Sequence, residues 1–279
     1  MPVIAVINRK GGSGKSTLAT HLAAWCAHRG HPVMLGDVDR QQSSRHWLRL
    51  RDERGPAQRG SIVGWSTAPR QVLRPPPGVR HVVLDTPGGL CGSDLARLVI
   101  YADAILMPVC NSLFDRTSAA ECHAELMSLP RVATGRCRLG AVGMRVDART
   151  KSAYTLQRWA EGLGLPFVGV LRETQAYVRC IEQGLTLFDL PPSHVRPDLL
   201  QWQPILDWLE PVLDAPAPAV AAPRPMPQPA LPARVSPAEG IQALEALITK
   251  RGHGALPPQR SRGGFFGWLG WPRLFQRHT

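Results

Sequence analysis

One short segment constrains this chain more than any other: residues 10–17 read Lys-Gly-Gly-Ser-Gly-Lys-Ser-Thr. The segment follows an apolar run that predicts a strand and precedes a pattern that predicts a helix. Its glycines, Gly11, Gly12 and Gly14, allow the backbone to turn tightly and to point several N–H groups at one anion. The helix that begins directly afterwards adds the positive end of its dipole. The segment therefore predicts a loop that binds nucleotide phosphates.

The polar side chains of this phosphate-binding loop have distinct expected roles. Lys15 is expected to neutralise charge on the β- and γ-phosphates, and Thr17 to bond the α-phosphate. The Ser16 hydroxyl is expected to ligate Mg²⁺, and Ser13 completes the loop around the phosphates. The loop thus predicts binding of a nucleoside triphosphate together with Mg²⁺.

The chain from Pro2 to about Asp214 alternates short, almost entirely apolar runs with helical patterns. Apolar runs of this kind are typical of strands that are covered on both faces. The alternation predicts an α/β fold with a doubly wound, mostly parallel sheet and helices on both faces, the architecture of a P-loop NTPase. Ligands of such sheets bind at the carboxyl ends of the strands. The predicted strands are Val3–Ile7, Val33–Val38, Ser61–Trp65, His81–Asp85, Ala104–Val109, Leu139–Arg145 and Phe167–Leu171.

Carboxylates end two of these strands. Asp37 and Asp39 are two residues apart at the end of the second strand, so they share one strand face and can both approach Mg²⁺ and an attacking water. Asp85 ends the fourth strand, where a carboxylate is suited to hold a metal-bound water. Gly88 and Gly89 follow it and permit a loop that rearranges when a γ-phosphate is present.

A second lysine, Lys10, opens the phosphate-binding loop although one chain does not need it to hold a nucleotide. With this lysine the loop resembles the deviant Walker A box of the ParA/MinD ATPases. The resemblance implies that Lys10 reaches across a dimer interface to the partner's nucleotide, that the nucleotide is ATP, and that Lys10 and Lys15 both act in its hydrolysis. It also implies that Asp39 positions the hydrolytic water and that Asp37 and Asp85 belong to the metal site.

The resemblance covers about residues 2–213 and implies a dimerising switch that hydrolyses ATP slowly, stimulated by a partner protein. Such a switch positions or segregates DNA or another intracellular cargo. Within the family, MipZ-like division-positioning ATPases look closest, while ParA-type partition ATPases and an orphan positioner of another cargo remain open. The fragments that suggest this are Asp85–Gly89, Asn111–Asp115, Leu171–Glu173, Gly184–Thr186 and Asp189–Leu190.

The sequence also departs from the family pattern. Gly36 stands where a branched apolar residue is usual, and Arg40 stands where a proline usually precedes Gln41. Met144 and Arg145 stand where relatives often place Asn-Arg near the nucleotide base. A preference for adenine is therefore implied by the family and not by these residues.

Two other kinds of protein share the phosphate-binding loop. Amide-forming metabolic ligases would need a substrate pocket, and some would need an additional glutaminase-like domain. Nitrogenase-type iron proteins and arsenite or tail-anchor ATPases would need paired cysteines, and Cys91 has no partner at a convincing spacing. The six cysteines contain no CxxC pair, and we expect reduced thiols in a cytoplasmic protein.

Three C-terminal segments follow the predicted domain of residues 1–213. Residues 214–235 are rich in Pro and Ala and predict a disordered, extended linker. Residues 236–252 predict a short amphipathic helix, and residues 253–279 form a tail of aromatic and basic residues. This tail suits a membrane surface or a groove on a partner protein, and it also suits a segment that folds back on the domain.

The net charge of +12 and the pI near 10.3 favour an anionic partner, and an arginine-rich proteome without such a partner is the alternative. In ParA-like dimers the late strands and helices form a surface for non-specific DNA. A protein of this kind is associated with the nucleoid or, through the tail, with the membrane surface. The basic residues expected on the DNA surface are Arg145, Arg149, Lys151, Arg158, Arg172 and Arg179.

Overall fold

The computed structural model describes residues 1–54, 61–66 and 75–214. The predicted helix of residues 236–252 and the predicted tail of residues 253–279 lie outside the described residues. So does the predicted linker, except for its first residue, Asp214. The division of the chain into these segments stays a prediction.

Seven parallel strands form one sheet. Every predicted strand is present, with its ends displaced by one residue or less, so the predicted α/β fold with a parallel sheet is confirmed. The strands are β1 (Val3–Val6), β2 (Val33–Asp37), β3 (Ile62–Ser66), β4 (His81–Asp85), β5 (Ala104–Val109), β6 (Arg138–Met144) and β7 (Phe167–Leu171). Their order in the sheet is β3-β2-β4-β1-β5-β6-β7.

Helices cover both faces of the sheet. One apolar cluster packs Leu18, Trp47 and Trp202 against one face, and a second packs Leu95 and Leu126 against the other. No described helix is long and apolar enough to cross a membrane. The helices are α1 (Lys15–His28), α2 (Ser43–Glu53), α3 (Gly92–Val99), α4 (Leu113–Ser128), α5 (Pro130–Ala133), α6 (Lys151–Gly162), α7 (Gln175–Glu182) and α8 (Pro192–Leu213).

The sheet register brings the predicted site residues together. Asp37 pairs with Asp85 across β2 and β4, and Val6 pairs with Asp85 across β1 and β4. The loops that follow these three neighbouring strands therefore start at the same edge of the sheet. This edge is the carboxyl edge, where a parallel sheet binds its ligands.

Helix α2 is fixed in place by the fragment at residues 184–190. Arg51 donates two hydrogen bonds to the buried carboxylate of Asp189, at 2.8 and 2.9 Å. Gly184 has φ +66° and lies so close to α2 that an added Cβ would be 2.4 Å from the backbone nitrogen of Arg51. Trp47 also donates to the Leu185 carbonyl at 3.0 Å. The fragment that suggested a family resemblance thus holds α2 beside the carboxyl edge.

Candidate nucleotide-binding site

The phosphate-binding loop has the backbone that its glycines predict. Gly12 and Gly14 have φ of +74° and +93°, in the left-handed region that favours glycine. Helix α1 begins directly after Gly14, and Leu18 donates its first backbone hydrogen bond to the Gly14 carbonyl at 3.0 Å. The N–H groups before Leu18 have no acceptor inside the helix, so they are available to an anion.

Lys15 lies beneath the loop. Its side chain is buried, and its Nζ donates to the Lys10 carbonyl at 2.9 Å. Burial lowers the pKa of Lys15, while the nearby carboxylates of Asp85 and Asp39 raise it. The Lys15 ammonium therefore lies between the loop and the carboxylates of Asp85 and Asp39, which the sequence assigned to the same site.

Asp85 is fully buried at the end of β4. Its Oδ2 accepts a 2.6 Å hydrogen bond from the Ser44 hydroxyl of α2. Burial raises the pKa of Asp85 to about 6, although the side chains of Ser44 and Ser16 lower it. A buried carboxylate of this kind is costly unless a cation or further hydrogen bonds compensate it.

Two buried oxygen atoms of the site lack a hydrogen-bond partner among the described residues: Oδ1 of Asp85 and Oγ of Ser13. Buried polar atoms without partners are rare in proteins. A buried carboxylate oxygen without a hydrogen-bond partner suits the oxygen-ligand chemistry of Mg²⁺, and a loop hydroxyl suits a phosphate oxygen. The residues present therefore fit ATP with Mg²⁺.

The two carboxylates after β2 are placed differently. Both oxygens of the buried Asp37 accept backbone N–H groups, from Asp39 at 3.1 Å and from Arg45 at 3.0 Å. Asp39 is partly exposed, and its Oδ1 accepts only a local bond from the Gln41 backbone at 3.0 Å among the described contacts. Asp37 thus shapes the turn into α2, and Asp39 projects from that turn.

The side chain of Lys10 is 38% exposed, whereas that of Lys15 is buried. Its Nζ forms an ion pair with Oδ1 of Asp115 at 3.0 Å and lies 5.9 Å from the centre of the Phe114 ring. Its backbone N–H donates to the buried Asn8 side chain at 3.1 Å. In this structure the two lysines of the loop therefore have separate surroundings.

The loop after β4 touches the phosphate-binding loop. An added Cβ at Gly88 would lie 3.3 Å from the Cα and the nitrogen of Gly11. Gly89, with φ +77°, donates its N–H to the Arg9 carbonyl at 2.6 Å. Glycine is required here because the two loops approach each other closely.

Met144 packs under the loop, since its Cε would be 2.7 Å from a Cβ at Gly14. Arg145 follows with φ +58° and an exposed side chain. Met144 and Arg145 stand where relatives often place Asn-Arg. Met144 therefore supports the loop through packing, while Arg145 faces solvent.

One basic residue expected on a DNA surface is held within the chain. Arg172 donates two hydrogen bonds to Asp198, at 2.6 and 3.2 Å, so its charge is partly compensated within the chain, and its place on a DNA surface stays a prediction. Arg158 is exposed but pairs with Glu161 at 2.7 Å. Of the six residues expected on the DNA surface, the four that are exposed without an ion pair to a carboxylate among the described contacts are Arg145, Arg149, Lys151 and Arg179.

The parallel sheet and the glycine loop at the start of α1 define a P-loop nucleotide-binding protein. A family model described as the CobQ/CobB/MinD/ParA nucleotide binding domain matches residues 4–187. The chain belongs to this family, which confirms the resemblance seen in the loop.

Characterised relatives include two proteins named maintenance of carboxysome distribution protein A. The one from Halothiobacillus neapolitanus is 29% identical over 189 residues, which cover 67% of this chain and 87% of the relative. The one from Gloeobacter kilaueensis is 34% identical over 198 residues, which cover 70% of this chain and 87% of the relative. The chromosome-partitioning ATPase Soj of Thermus thermophilus is 30% identical over 184 residues, covering 55% and 73%.

Solved structures share the fold. A putative plasmid partition protein of Borrelia burgdorferi bound to AMPPNP has a TM-score of 0.57 at 16% identity, covering 74% of this chain and 99% of that one. An ATP complex of Cyanothece McdA has a TM-score of 0.53 at 15% identity, covering 74% and 96%.

Proposed function

We propose that this protein is an ATP-dependent dimerising switch that positions or segregates an intracellular cargo. The observation that carries the proposal is the different placement of the two loop lysines. Lys15 is buried beneath the loop, where it can serve the nucleotide of its own chain. Lys10 pairs with Asp115 outside the loop, and its side chain is about two-fifths exposed, so a second chain can reach it.

The site residues would act as follows. Mg²⁺, when bound, neutralises phosphate charge and takes oxygen ligands, which Ser16 and Asp85 supply. The loop glycines and Thr17 hold the phosphates by hydrogen bonds. Asp39, which projects from its turn, orients the attacking water, while Asp37 fixes that turn. Hydrolysis is slow and is stimulated by a partner protein, so the energy of ATP sets the balance between monomer and dimer.

The relatives favour positioning over ligation. The family description includes CobQ and CobB as well as MinD and ParA, so the family alone does not separate the two activities. The individual relatives are a carboxysome distribution protein and a chromosome-partitioning ATPase. The cargo of this chain is accordingly proposed to be DNA or an intracellular body.

The dimer is proposed to bind DNA without sequence specificity through Arg145, Arg149, Lys151 and Arg179. Exposed basic residues near one edge of a domain would contact phosphates in a sequence-independent and salt-sensitive way. Alternatively, residues 253–279 bind the dimer to a membrane surface instead of DNA. Binding to vesicles of anionic lipid would test this.

Sizing the protein with ADP, ATP and a slowly hydrolysed ATP analogue tests the switch. Wild-type protein should become a dimer with ATP and Mg²⁺ and stay a monomer with ADP. Lys15→Ala should lose nucleotide binding, because the phosphate charge is no longer neutralised. Asp39→Ala should accumulate an ATP-bound dimer and lose about 100-fold or more in turnover.

Asp52→Ala is the matched control, since Asp52 is an exposed carboxylate of α2 away from the loop. It should behave as wild type in sizing and in turnover. A wild-type protein that binds ATP and remains monomeric would contradict the switch.

A further inference from the structure

The first turn of α4 holds Lys10 from within the same chain. The Lys10 ammonium lies 3.0 Å from Oδ1 of Asp115 and 5.9 Å from the centre of the Phe114 ring. The side chain of Asp115 is 15% exposed and that of Lys10 is 38% exposed. The ammonium therefore makes both an ion pair and a cation–π contact at a site that solvent reaches.

Asp115 is held in place independently of Lys10. Its backbone N–H donates to the hydroxyl of Ser112, the N-cap of α4, at 3.1 Å, and that hydroxyl donates to Oδ2 of Asp115. Burial raises the pKa of Asp115, but the hydrogen bonds from Ser112 and Lys10 bring it below its ordinary value. The carboxylate is thus charged at neutral pH, and Ser112 orients it by contacts that do not involve Lys10.

The proposed switch requires Lys10 to contact a phosphate of the partner subunit. A triphosphate and the Asp115 carboxylate are both anions, so they repel each other when one ammonium is shared between them. Lys10 must therefore leave Asp115, or weaken its contact, when two chains close over ATP.

We propose that Asp115 restrains Lys10 within its own chain and thereby opposes ATP-dependent dimerisation until the partner's triphosphate competes for the lysine. This inference rests on the proposed function and adds a regulatory role for a residue outside the phosphate-binding loop. Asp115 acts here as a positioning residue through Lys10.

The apolar residues of the same turn support a place at the dimer face. Leu113 and Phe114 are 66% and 75% exposed, the largest values among the large apolar side chains in the described part of the chain. Contiguous exposed apolar surface is a feature of interaction sites, and these two side chains supply the most exposed part of it near Lys10. Since Lys10 contacts this turn directly, a second copy that Lys10 reaches would also cover Leu113 and Phe114.

The test is Asp115→Asn in the full-length chain, which removes the charge and keeps the shape that Ser112 contacts. Dimerisation is measured by sedimentation equilibrium with ATP and Mg²⁺, in a background of Asp39→Ala to slow turnover. Each dimer would no longer have to open two ion pairs, so the dimer dissociation constant should fall about tenfold. Affinity of the monomer for ADP should not change, because Lys10 does not serve its own nucleotide.

Two controls separate this role from a structural one. Ser112→Ala removes the helix cap and the hydroxyl that orients the Asp115 carboxylate but keeps its charge, so it should lower the melting temperature and should lower the dimer dissociation constant by less than Asp115→Asn does. Asp103→Asn removes a comparable ion pair, with Arg131 at 3.0 Å, at the opposite edge of the sheet and should not affect dimerisation. Asp115→Ser serves as a second variant if the asparagine form does not fold.

The outcomes are distinct. A tighter ATP dimer with unchanged ADP affinity supports the restraint by Asp115. A wild-type protein that dimerises with ATP, combined with an unchanged or weaker dimer for Asp115→Asn, overturns the restraint and leaves the switch intact. If neither wild type nor variant dimerises with ATP, both the restraint and the proposed switch are wrong.

Discussion

His21 illustrates how single residues support the loop from below. It is fully buried in α1, and its ring stacks on Trp202 with centroids 5.5 Å apart. Its Nδ1 lies 2.8 Å from the Thr17 carbonyl, and its Nε2 accepts the Leu187 N–H at 3.2 Å. These partners require a neutral ring with the proton on Nδ1. His21 therefore joins the first turn of α1 to the segment that follows α7.

This burial predicts a loss of stability in mild acid. Burial lowers the pKa of His21 from 6.5 to about 4, so the unfolded chain binds more protons between these values. The contribution of neutral, buried His21 to the unfolding free energy is fully present above pH 6.5 and is lost as the pH falls toward 4. Between pH 7 and pH 4.5 the wild type should lose about 2 kcal/mol more unfolding free energy than His21→Gln. Urea unfolding at both pH values measures this, and equal losses would contradict it.

The sequence predicted which carboxylates lie at the candidate site, but not the residues that hold them there. Asp37, Asp39 and Asp85 were predictable because they end apolar runs, and parallel strands align such ends at one edge. Ser44 was not predictable, since its partner Asp85 is 41 residues away and a serine near a helix start carries no distinct pattern. Asn8 likewise donates to the carbonyl of Pro108, 100 residues away. Contacts of this kind depend on tertiary packing.

At the scale of elements, the position of α2 decides how the site is assembled. This helix carries Ser44 to Asp85 at one end and is held by Asp189 and Gly184 at the other. Burial raises the pKa of Asp189, yet the hydrogen bonds from His28 and Arg51 keep it well below its ordinary value. The periodicity of the sequence predicts that helices cover the sheet, whereas the position of α2 along it depends on these contacts.

Gly184→Ala should displace α2. The residue has φ +66°, and the new Cβ would meet the backbone of Leu50 and Arg51 at 2.4–2.6 Å. We expect a loss of about 2–4 kcal/mol in unfolding free energy, since backbone atoms cannot yield as a flexible side chain can. Affinity for Mg²⁺–ATP should also weaken, because Ser44 moves away from Asp85.

Gly162→Ala is the matched control for this element. Gly162 is the last residue of α6, it lacks a positive φ, and a Cβ there would meet no atom within 4 Å. The change should be neutral or stabilise the protein by up to about 1 kcal/mol. Chemical denaturation compares the two variants, and similar stabilities would contradict the assigned role of Gly184.

At the scale of the whole molecule, positive charge has two separate sources. Residues 215–279 contain eight Lys and Arg but two Asp and Glu, and so contribute half of the net charge of +12. The other half belongs to residues 1–214, where Arg172 and Arg158 are already paired with carboxylates. Net charge alone therefore does not identify which part of the chain would bind a polyanion.

Duplex DNA binding, measured with and without ATP, should separate these sources. A chain that ends at Asp214 should keep the ATP-dependent part of its DNA affinity, because the proposed dimerisation would bring together the exposed basic residues of two domains. It should lose much of the ATP-independent part, which any basic segment supplies.

Replacing Arg149, Lys151 and Arg179 with alanine should instead remove the ATP-dependent part and reduce the slope of log affinity against log salt by about 3 per chain. Arg158→Ala is the control, since Glu161 already pairs with Arg158, and its slope should change by less than about 1. Loss of ATP-dependent binding in the shortened chain would assign the DNA contact to residues 215–279 and refute the proposed surface.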